Sequence, residues 1–502
     1  MSEGRIAAVV PTPQCYNPGA LKTTFVSPKR PVLARVLLYG ALVAAAVVIA
    51  LPILFEEEDL PWLEWQWWYR VDWAEKPEVQ LLQEYVRIDT SHLTGNEIPA
   101  AEWLAARLAE VGIEAEIERI PPRYANLWAI VEGEDPRAIV LHHHIDVDDV
   151  HEHEEQFWRY PPFSATLEPP WIYGRGVFDM KSVAVAQLVA LQRLVESGEP
   201  LRRSVIFLAT SSEEIGSELG TRRILAERPE LVERFGVVLT EGGVVEATDP
   251  DDAKYWGIEF AQKSFGKVEV LSDELEPLVA LRRRIRELGR PLAPRLLTPP
   301  VEAFLPRYGP TRSLGTYREL LAEPERIVAD PETFLRLTEF QQALFRNEAH
   351  ALPPAPRADG GYAMKVFVHL LPGTDFEETR RELLPEALFE GFATRVEPPP
   401  VPFAMSPPEH PAVETMIEVV EKLHPDTVAG PYFLPWAATD ARFFRAAGIP
   451  TYGFSPFLIF TTDTQTLHGP NERIALPGYV QGVELTSELL RRLATDEEWD
   501  WR

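Results

Sequence analysis

Apolar positions along this chain follow two alternating rhythms, one of period two and one of helical period. "AAEWLAARLAEVG" (100–112) has helical spacing and stops at a glycine, so it predicts a helix, whereas "IEAEIERI" (113–120) alternates like a half-buried strand. "RAIVL" (137–141), "SVIFLAT" (204–210) and "FGVVLT" (235–240) are short runs of β-branched and aliphatic residues, the pattern of strands buried on both faces. Between them "SVAVAQLVALQRLVESG" (182–198) predicts another helix. The alternation predicts an α/β sheet covered by helices.

Beyond Tyr255 the texture changes. A strand-like "KVEVL" (267–271) precedes an Arg- and Pro-rich helical region, and a further strand follows in "YAMKVFVHLLPG" (362–373). The proline run "EPPPVPF" (397–403) reads as a boundary, after which "VETMIEVVEKL" and "IPTYGF" resume the first rhythm. The expected organisation is a main domain in two parts, 74–258 and 401–502, with a smaller α+β domain, 259–400, inserted between them. No internal repeat is visible.

Upstream, "VLLYGALVAAAVVIALPILF" (36–55) is uncharged and long enough to cross a bilayer as a helix. Lys22, Lys29, Arg30 and Arg35 precede it, and Glu56, Glu57, Glu58 and Asp59 follow. That asymmetry predicts a single-pass membrane protein with residues 1–35 cytoplasmic and the main domain periplasmic or extracytoplasmic. Residues 56–73 are rich in tryptophan, which suits a juxtamembrane aromatic belt. A cleaved signal peptide or a buried core helix are the alternatives. The long basic preface and the lack of a small-residue cleavage site weigh against the first.

Composition narrows the function. The 502 residues carry 49 Lys+Arg against 77 Asp+Glu, a formal net charge of −28, which excludes nucleic acid as a partner. The only cysteine is Cys15, so there is no internal disulfide and no cysteine-based metal site. Any metal must be held by His, Asp and Glu.

Those residues crowd into "IVLHHHIDVDDVHEHEE" (139–155). Three strand-like runs deliver such groups at their C-terminal ends: "IVL" leads to "HHHID", "FLAT" to "SSEE" and "VVLT" to "EGG". In open α/β sheets, ligand sites collect outside those ends. Asp179 in "YGRGVFDMK" and His468 in "TLHGPNE" are available to complete a metal site of nitrogen and oxygen ligands.

Six segments, in order, carry a resemblance. "HID" (144–146), "PPF…IYGRGVFDMKS" (161–182), "SSEEIGS" (211–217), "TEGG" (240–243), "TDARFFRAAGIPTYGFSP" (439–456) and "LHGPNERI" (467–474) resemble the di-zinc aminoacylase and carboxypeptidase family. The nearest subgroup is that of carboxypeptidase S and the N-acyl-amino-acid hydrolases (Gly-X carboxypeptidases). The resemblance covers about residues 75–495 and implies a zinc-peptidase-like catalytic domain, a mixed sheet covered by helices, with the insert as a lid and dimerisation domain. It implies two zinc ions, or another divalent metal such as cobalt or manganese. His144 and Glu241 would hold one, Glu214 and His468 the other, with Asp179 bridging. Asp146 would orient and polarise His144, and Glu213 would be the general base. Arg442 matches an arginine that the family places near the substrate carboxylate. The implied activity is hydrolysis of the amide bond of small peptides or N-acyl amino acids through a metal-activated water.

The insert departs from the pattern. Where the family carries a Gly-His-Ser-Ser-like turn, whose histidine reaches a partner subunit's site, this chain reads "KSFGKVEVLSDELEPLVALRRR", with no histidine. A homodimer through the lid stays among the expected partners. His369 in "VFVHLLPG" stands where an arginine usually clamps the substrate carboxylate, and His350 in "HALP" where an asparagine is usual. Two other readings follow: a metal-binding but catalytically impaired relative that serves as a binding or scaffold module, or a His-rich metal buffer. Retention of Glu213 favours the hydrolase, since storage needs no general base. His142 and His143 are expected to flank the site, and "DVDDVHEHEE" to be a solvated loop in which His151 and His153 could take up surface metal.

Overall fold

The computed structural model describes residues 71–496 apart from 152–153, 248–252, 289–293, 313–314, 358 and 461. Its centre is a nine-stranded mixed sheet. Eight strands follow in the order Ala115–Ile120, Tyr124–Val131, Arg203–Thr210, Asp135–His144, Phe235–Thr240, Thr451–Gly453, Ala253–Gln262 and Val428–Leu434, and Val244–Ala247 pairs with Ala253–Gln262 off that path. Asp135–His144 lies parallel to both of its neighbours, and the outer pairs include antiparallel ones.

Burial on both faces explains the continuous apolar runs. On one face Ala138, Val140, Ile206, Leu208 and Val238 pack against Ile224, Leu231, Phe444 and Ile449. The other face meets helix Ser182–Ser197, which in turn packs on Leu476–Thr495, Pro77–Val86 and Glu97–Ala109. Ser182–Ser197 buries almost every residue of its first three turns, as expected for a helix sandwiched between sheet and outer helices.

A second, antiparallel sheet is built from Glu348–Ala351, Tyr362–Leu370, Ser264–Ser272 and Ala393–Glu397, with Ala355–Pro356 beside Tyr362–Leu370. Val268, Val270, Met364, Val366 and Val368 alternate onto one face and bury it against helices Leu275–Leu288 and Phe376–Leu383. The edge of the expected insert falls inside a strand, because Ala253–Gln262 continues in the large sheet past residue 258. Helix Pro299–Tyr308 also leaves the small sheet and packs on the edge strand Val428–Leu434 of the large one. There Phe304 and Tyr308 stack into a cluster with Tyr255, Tyr432 and Phe340.

The fold class needs one correction, the transmembrane helix. Among the described residues no helix is long and apolar enough to cross a membrane. The longest of them, Leu476–Thr495, is amphipathic, with Glu484, Glu488, Arg491 and Arg492 between its buried leucines. Residues 36–55 lie outside the described residues, as do 1–35 and 56–70. The anchor, and the extracytoplasmic placement built on it, are therefore withdrawn, and the fold is an α/β fold with a mixed central sheet.

Candidate metal centre

Three strand ends and two loops converge on one point. His144 is the last residue of Asp135–His144, Glu213 and Glu214 follow Arg203–Thr210, and Glu241 follows Phe235–Thr240. Asp179 comes from the loop that enters helix Ser182–Ser197, and His468 from the turn before strand Arg473–Ala475.

His144, Asp179 and Glu241 form one triad of potential metal ligands; Asp179, Glu214 and His468 form another, so Asp179 is shared. His144 Nε2 lies 3.0 Å from Asp179 Oδ1 and 3.8 Å from Glu241 Oε1. His468 Nε2 lies 3.1 Å from Asp179 Oδ2 and 3.3 Å from Glu214 Oε1. Ligand atoms around a tetrahedral zinc stand about 3.3 Å apart, so the spacings suit such an ion.

The polar atoms fit a cation on their own account. His144 Nδ1 is 2.8 Å from the main-chain oxygen of Asp146, which can only accept, so Nδ1 donates. Nε2 is then aimed at two carboxylate oxygens, an arrangement that calls for a proton or a metal between them. Glu214 Oε1 is buried and has only the long 3.3 Å approach of His468 Nε2, without a well-aligned hydrogen bond.

Charge tells the same story. Burial disfavours the charged form of His144, but contact with Asp179 and the fields of Glu241 and Asp146 outweigh it and hold the imidazole well above its usual range. His468 is pushed up to about 12, because Asp179 and Glu214 outweigh its burial. Burial drives Glu213 and Glu241 far above the usual carboxylate range, with Asp440 and Asp179 respectively adding repulsion. Four crowded carboxylates are short of positive charge, the deficit a pair of divalent cations makes good.

Local geometry fixes these groups. Ser212, in the left-handed region at φ 59°, starts a single 3₁₀ turn, Glu213–Ile215, which Gly216 ends at φ 108°. Neighbouring Glu213 and Glu214 thus diverge. Their main-chain N–H groups both donate to the carboxylate of Asp146, at 3.0 Å each. That carboxylate also pairs with His92 Nε2 at 2.9 Å. It stands 3.7 Å from His144 Nδ1, so the orienting contact expected of it is made by its own carbonyl group.

His142 and His143 point to opposite faces of their strand, as its period of two requires. His142 lies 2.8 Å from Thr240 Oγ1 and 2.9 Å from Thr210 Oγ1, and His143 lies 3.0 Å from Gln187 Oε1. Both are buried, and neither belongs to the two ligand triads. His151 is exposed, and His153 lies outside the described residues.

A cavity of about 720 Å³ opens over the ligands. Phe178, Met180, Phe265, Phe367, Leu434 and Phe454 contribute apolar wall. Arg442 lines it too, stacked 4.5 Å from the Phe443 ring centroid and donating to the Thr439 carbonyl oxygen at 3.1 Å. Neither His369 nor His350 is among the lining residues. His369 is buried between Phe265 and His350 at the junction with Pro435, and burial with nearby Lys263 lowers its pKa to about 3. His350 sits beside Glu348 in the same cluster, 3.6 Å away. The structure thus gathers every expected metal ligand, Glu213, Asp146 and Arg442, and leaves both lid histidines outside. Of three further participants, His92 stands outside the quoted segments, whereas Arg175 and Glu472 lie inside them with nothing local to tell their role. Glu472 stands inside the "HGPNERI" motif, and its ion pair with Arg175 at 2.8 Å is fully buried.

The arrangement is that of a candidate metal site of a hydrolase. The chain belongs to peptidase family M20/M25/M40, whose model matches residues 140–492, and is a hydrolase of amide bonds of the metallopeptidase and aminoacylase kind. It is 27% identical over 436 residues to aminoacylase-1A of Rattus norvegicus, covering 84% of this chain and 96% of that protein. Aminoacylase-1 of Homo sapiens is 26% identical over 439 residues, with the same coverage. Among solved structures, the M20 family metallo-carboxypeptidase Sso-CP2 from Sulfolobus solfataricus superposes with a TM-score of 0.59 at 19% identity, covering 83% of this chain and 99% of that one. Human carnosine dipeptidase 1 gives 0.57 at 16% identity, covering 83% and 96%. These likenesses establish the fold.

Proposed function

We propose that the protein hydrolyses the amide bond of small peptides or N-acyl amino acids with two divalent metal ions, zinc being the first candidate. The observation that carries this reading is the pair of ligand triads sharing Asp179, with Glu213 next to them and in neither. His144, Asp179 and Glu241 would hold one ion, and Asp179, Glu214 and His468 the other. When bound, the metals lower the pKa of water and polarise the scissile carbonyl.

Glu213 then takes a proton from the attacking water and returns it to the leaving amine nitrogen. Its place favours that task. The Asp146 carboxylate fixes its main chain, and the side chain borders the cavity. Arg442 offers a planar, permanently charged donor set to the substrate carboxylate. The apolar walls suit an uncharged acyl or side-chain portion. A homodimer through the small sheet belongs to the same reading, since its edge strand Ala393–Glu397 is largely exposed; sedimentation decides it.

The test is Glu213→Gln. Glutamine keeps the size but cannot accept the water's proton, so turnover of N-acyl amino acids and dipeptides should fall by about two to four orders of magnitude. Both metals should remain, as read by elemental analysis. A near-normal rate, or one ion per chain in the parent, defeats the assignment.

A further inference from the structure

The loop that carries the shared ligand has little regular structure of its own. Gly176 sits at φ 77°, and Asp179 and Met180 depart from helical geometry. The N–H groups of Gly176, Phe178 and Asp179 are taken instead by one side chain. Glu472 Oε1 accepts from Phe178 at 2.9 Å and Asp179 at 3.2 Å, and Oε2 accepts from Gly176 at 3.1 Å and from Arg175 Nη1 at 2.8 Å. Glu472 and Arg175 are each 1% exposed.

Four donors on one side chain require a carboxylate, because only its two oxygens provide enough lone pairs without a donor of their own. Glu472 also lies four residues beyond His468. Its main-chain oxygen accepts from Gly174 at 2.9 Å, and the next residue, Arg473, pairs with Tyr173 where the short strands Arg473–Ala475 and Trp171–Tyr173 run antiparallel. The segment that supplies His468 is thereby stitched to the segment that supplies Asp179, 289 residues away in sequence.

We propose that Glu472 is a positioning residue for Asp179, holding the shared ligand at a fixed distance from His468 so that both metal positions form together. The inference rests on the two-metal reading above. It places no atom of Glu472 on substrate or metal. Its action runs through the Phe178–Asp179 main chain, and because Asp179 belongs to both triads, a shift there disturbs both.

Glu472→Gln tests it. Glutamine preserves volume but replaces one acceptor with an NH₂ group that faces either Gly176 N–H and Arg175 or the Phe178 and Asp179 N–H groups. Zinc alone is the probe, titrated in competition with a chromophoric chelator. Affinity at both positions should fall about 10- to 100-fold, the usual consequence of losing a group that orients ligands. Under saturating zinc, kcat should fall more than KM rises. Leu489→Ala, a buried leucine of the C-terminal helix outside both loops, should lower Tm and leave zinc affinity unchanged, which separates positioning from general destabilisation. If Glu472→Gln fails to fold, Glu472→Asp keeps the charge, shortens the reach and should also weaken both sites. A folded variant of either kind that binds two zinc ions with the parent's affinities overturns the proposal. A parent that binds fewer than two overturns the two-metal reading instead.

Discussion

His144 Nδ1 lies 2.8 Å from the main-chain oxygen of Asp146, while the Asp146 carboxylate, 3.7 Å from the same nitrogen, grips the N–H groups of Glu213 and Glu214. One residue thus serves a candidate metal ligand with its backbone and the proposed general base with its side chain. Asp146→Asn separates the two roles. The backbone contact survives the substitution, so His144 keeps its orientation. An amide offers one acceptor oxygen in place of two and turns an NH₂ towards a donor, so the Glu213–Ile215 turn loosens. A fall in kcat of about 10- to 100-fold is expected, with metal at the His144 position retained. Unchanged kcat would show that the turn holds without the carboxylate.

Metal removal should cost stability as well as activity. Asp179, Glu213, Glu214 and Glu241 repel one another where burial already disfavours charge. An ion bound at a thousand times its Kd adds about 4 kcal/mol to the folded state. Calorimetry with and without a strong chelator should show a large drop in Tm, reversed by zinc. An identical Tm in both conditions would mean that no ion is held tightly.

Much of this site could be read from the chain because its strands are buried on both faces. Runs such as "SVIFLAT" and "FGVVLT" are continuous, and the polar residues that end them mark the sheet's functional edge. What stayed hidden depends on partners distant in sequence. Nothing local tells that His142 meets Thr240 and Thr210, or that His143 meets Gln187. The clamp role of Glu472 needs the 174–179 loop folded against it. His369 aligns with a family arginine by its distance from "PG", yet the junction with Pro435 and the packing of Phe265 keep it out of the cavity. The same limit applies to Pro299–Tyr308, whose apolar face reads equally well as lid or as cover for an edge strand.

His369 instead predicts acid sensitivity. It faces Lys263, His350, Glu348 and the Pro435 carbonyl, and burial first, then Lys263, depress its pKa to about 3. The unfolded chain binds its proton near pH 6.5 and the folded chain only near 3, so the unfolded state holds more protons between those values. Its stabilising contribution is therefore complete above about pH 6.5 and is lost as pH falls towards 3. Between pH 7 and 5 this group alone costs about 2 kcal/mol. His369→Phe should flatten the dependence of stability on pH in that window by denaturant titration. An equally steep dependence would assign the acid sensitivity elsewhere.

Arg442 gives the most direct probe of substrate recognition. Its guanidinium packs near Phe443 and Phe265, and among the described residues it makes no ion pair. It also lowers the pKa of Glu213, so removing it should change the rate for every substrate. Comparing free-carboxylate substrates with matched amides cancels that shared effect. A hydrogen bond to a charged group is worth about 1.5–3 kcal/mol, so in Arg442→Met the preference for the carboxylate, as a ratio of kcat/KM values, should fall about 10- to 100-fold. Arg442→Lys should recover only part of it, because an ammonium keeps the charge but neither stacks on the aromatic rings nor presents a planar fork. If both variants lose rate equally on acid and amide, Arg442 acts through Glu213 alone, and the carboxylate must be held by another cation of the cavity, with Lys267 and Lys365 of the small sheet next to be tested.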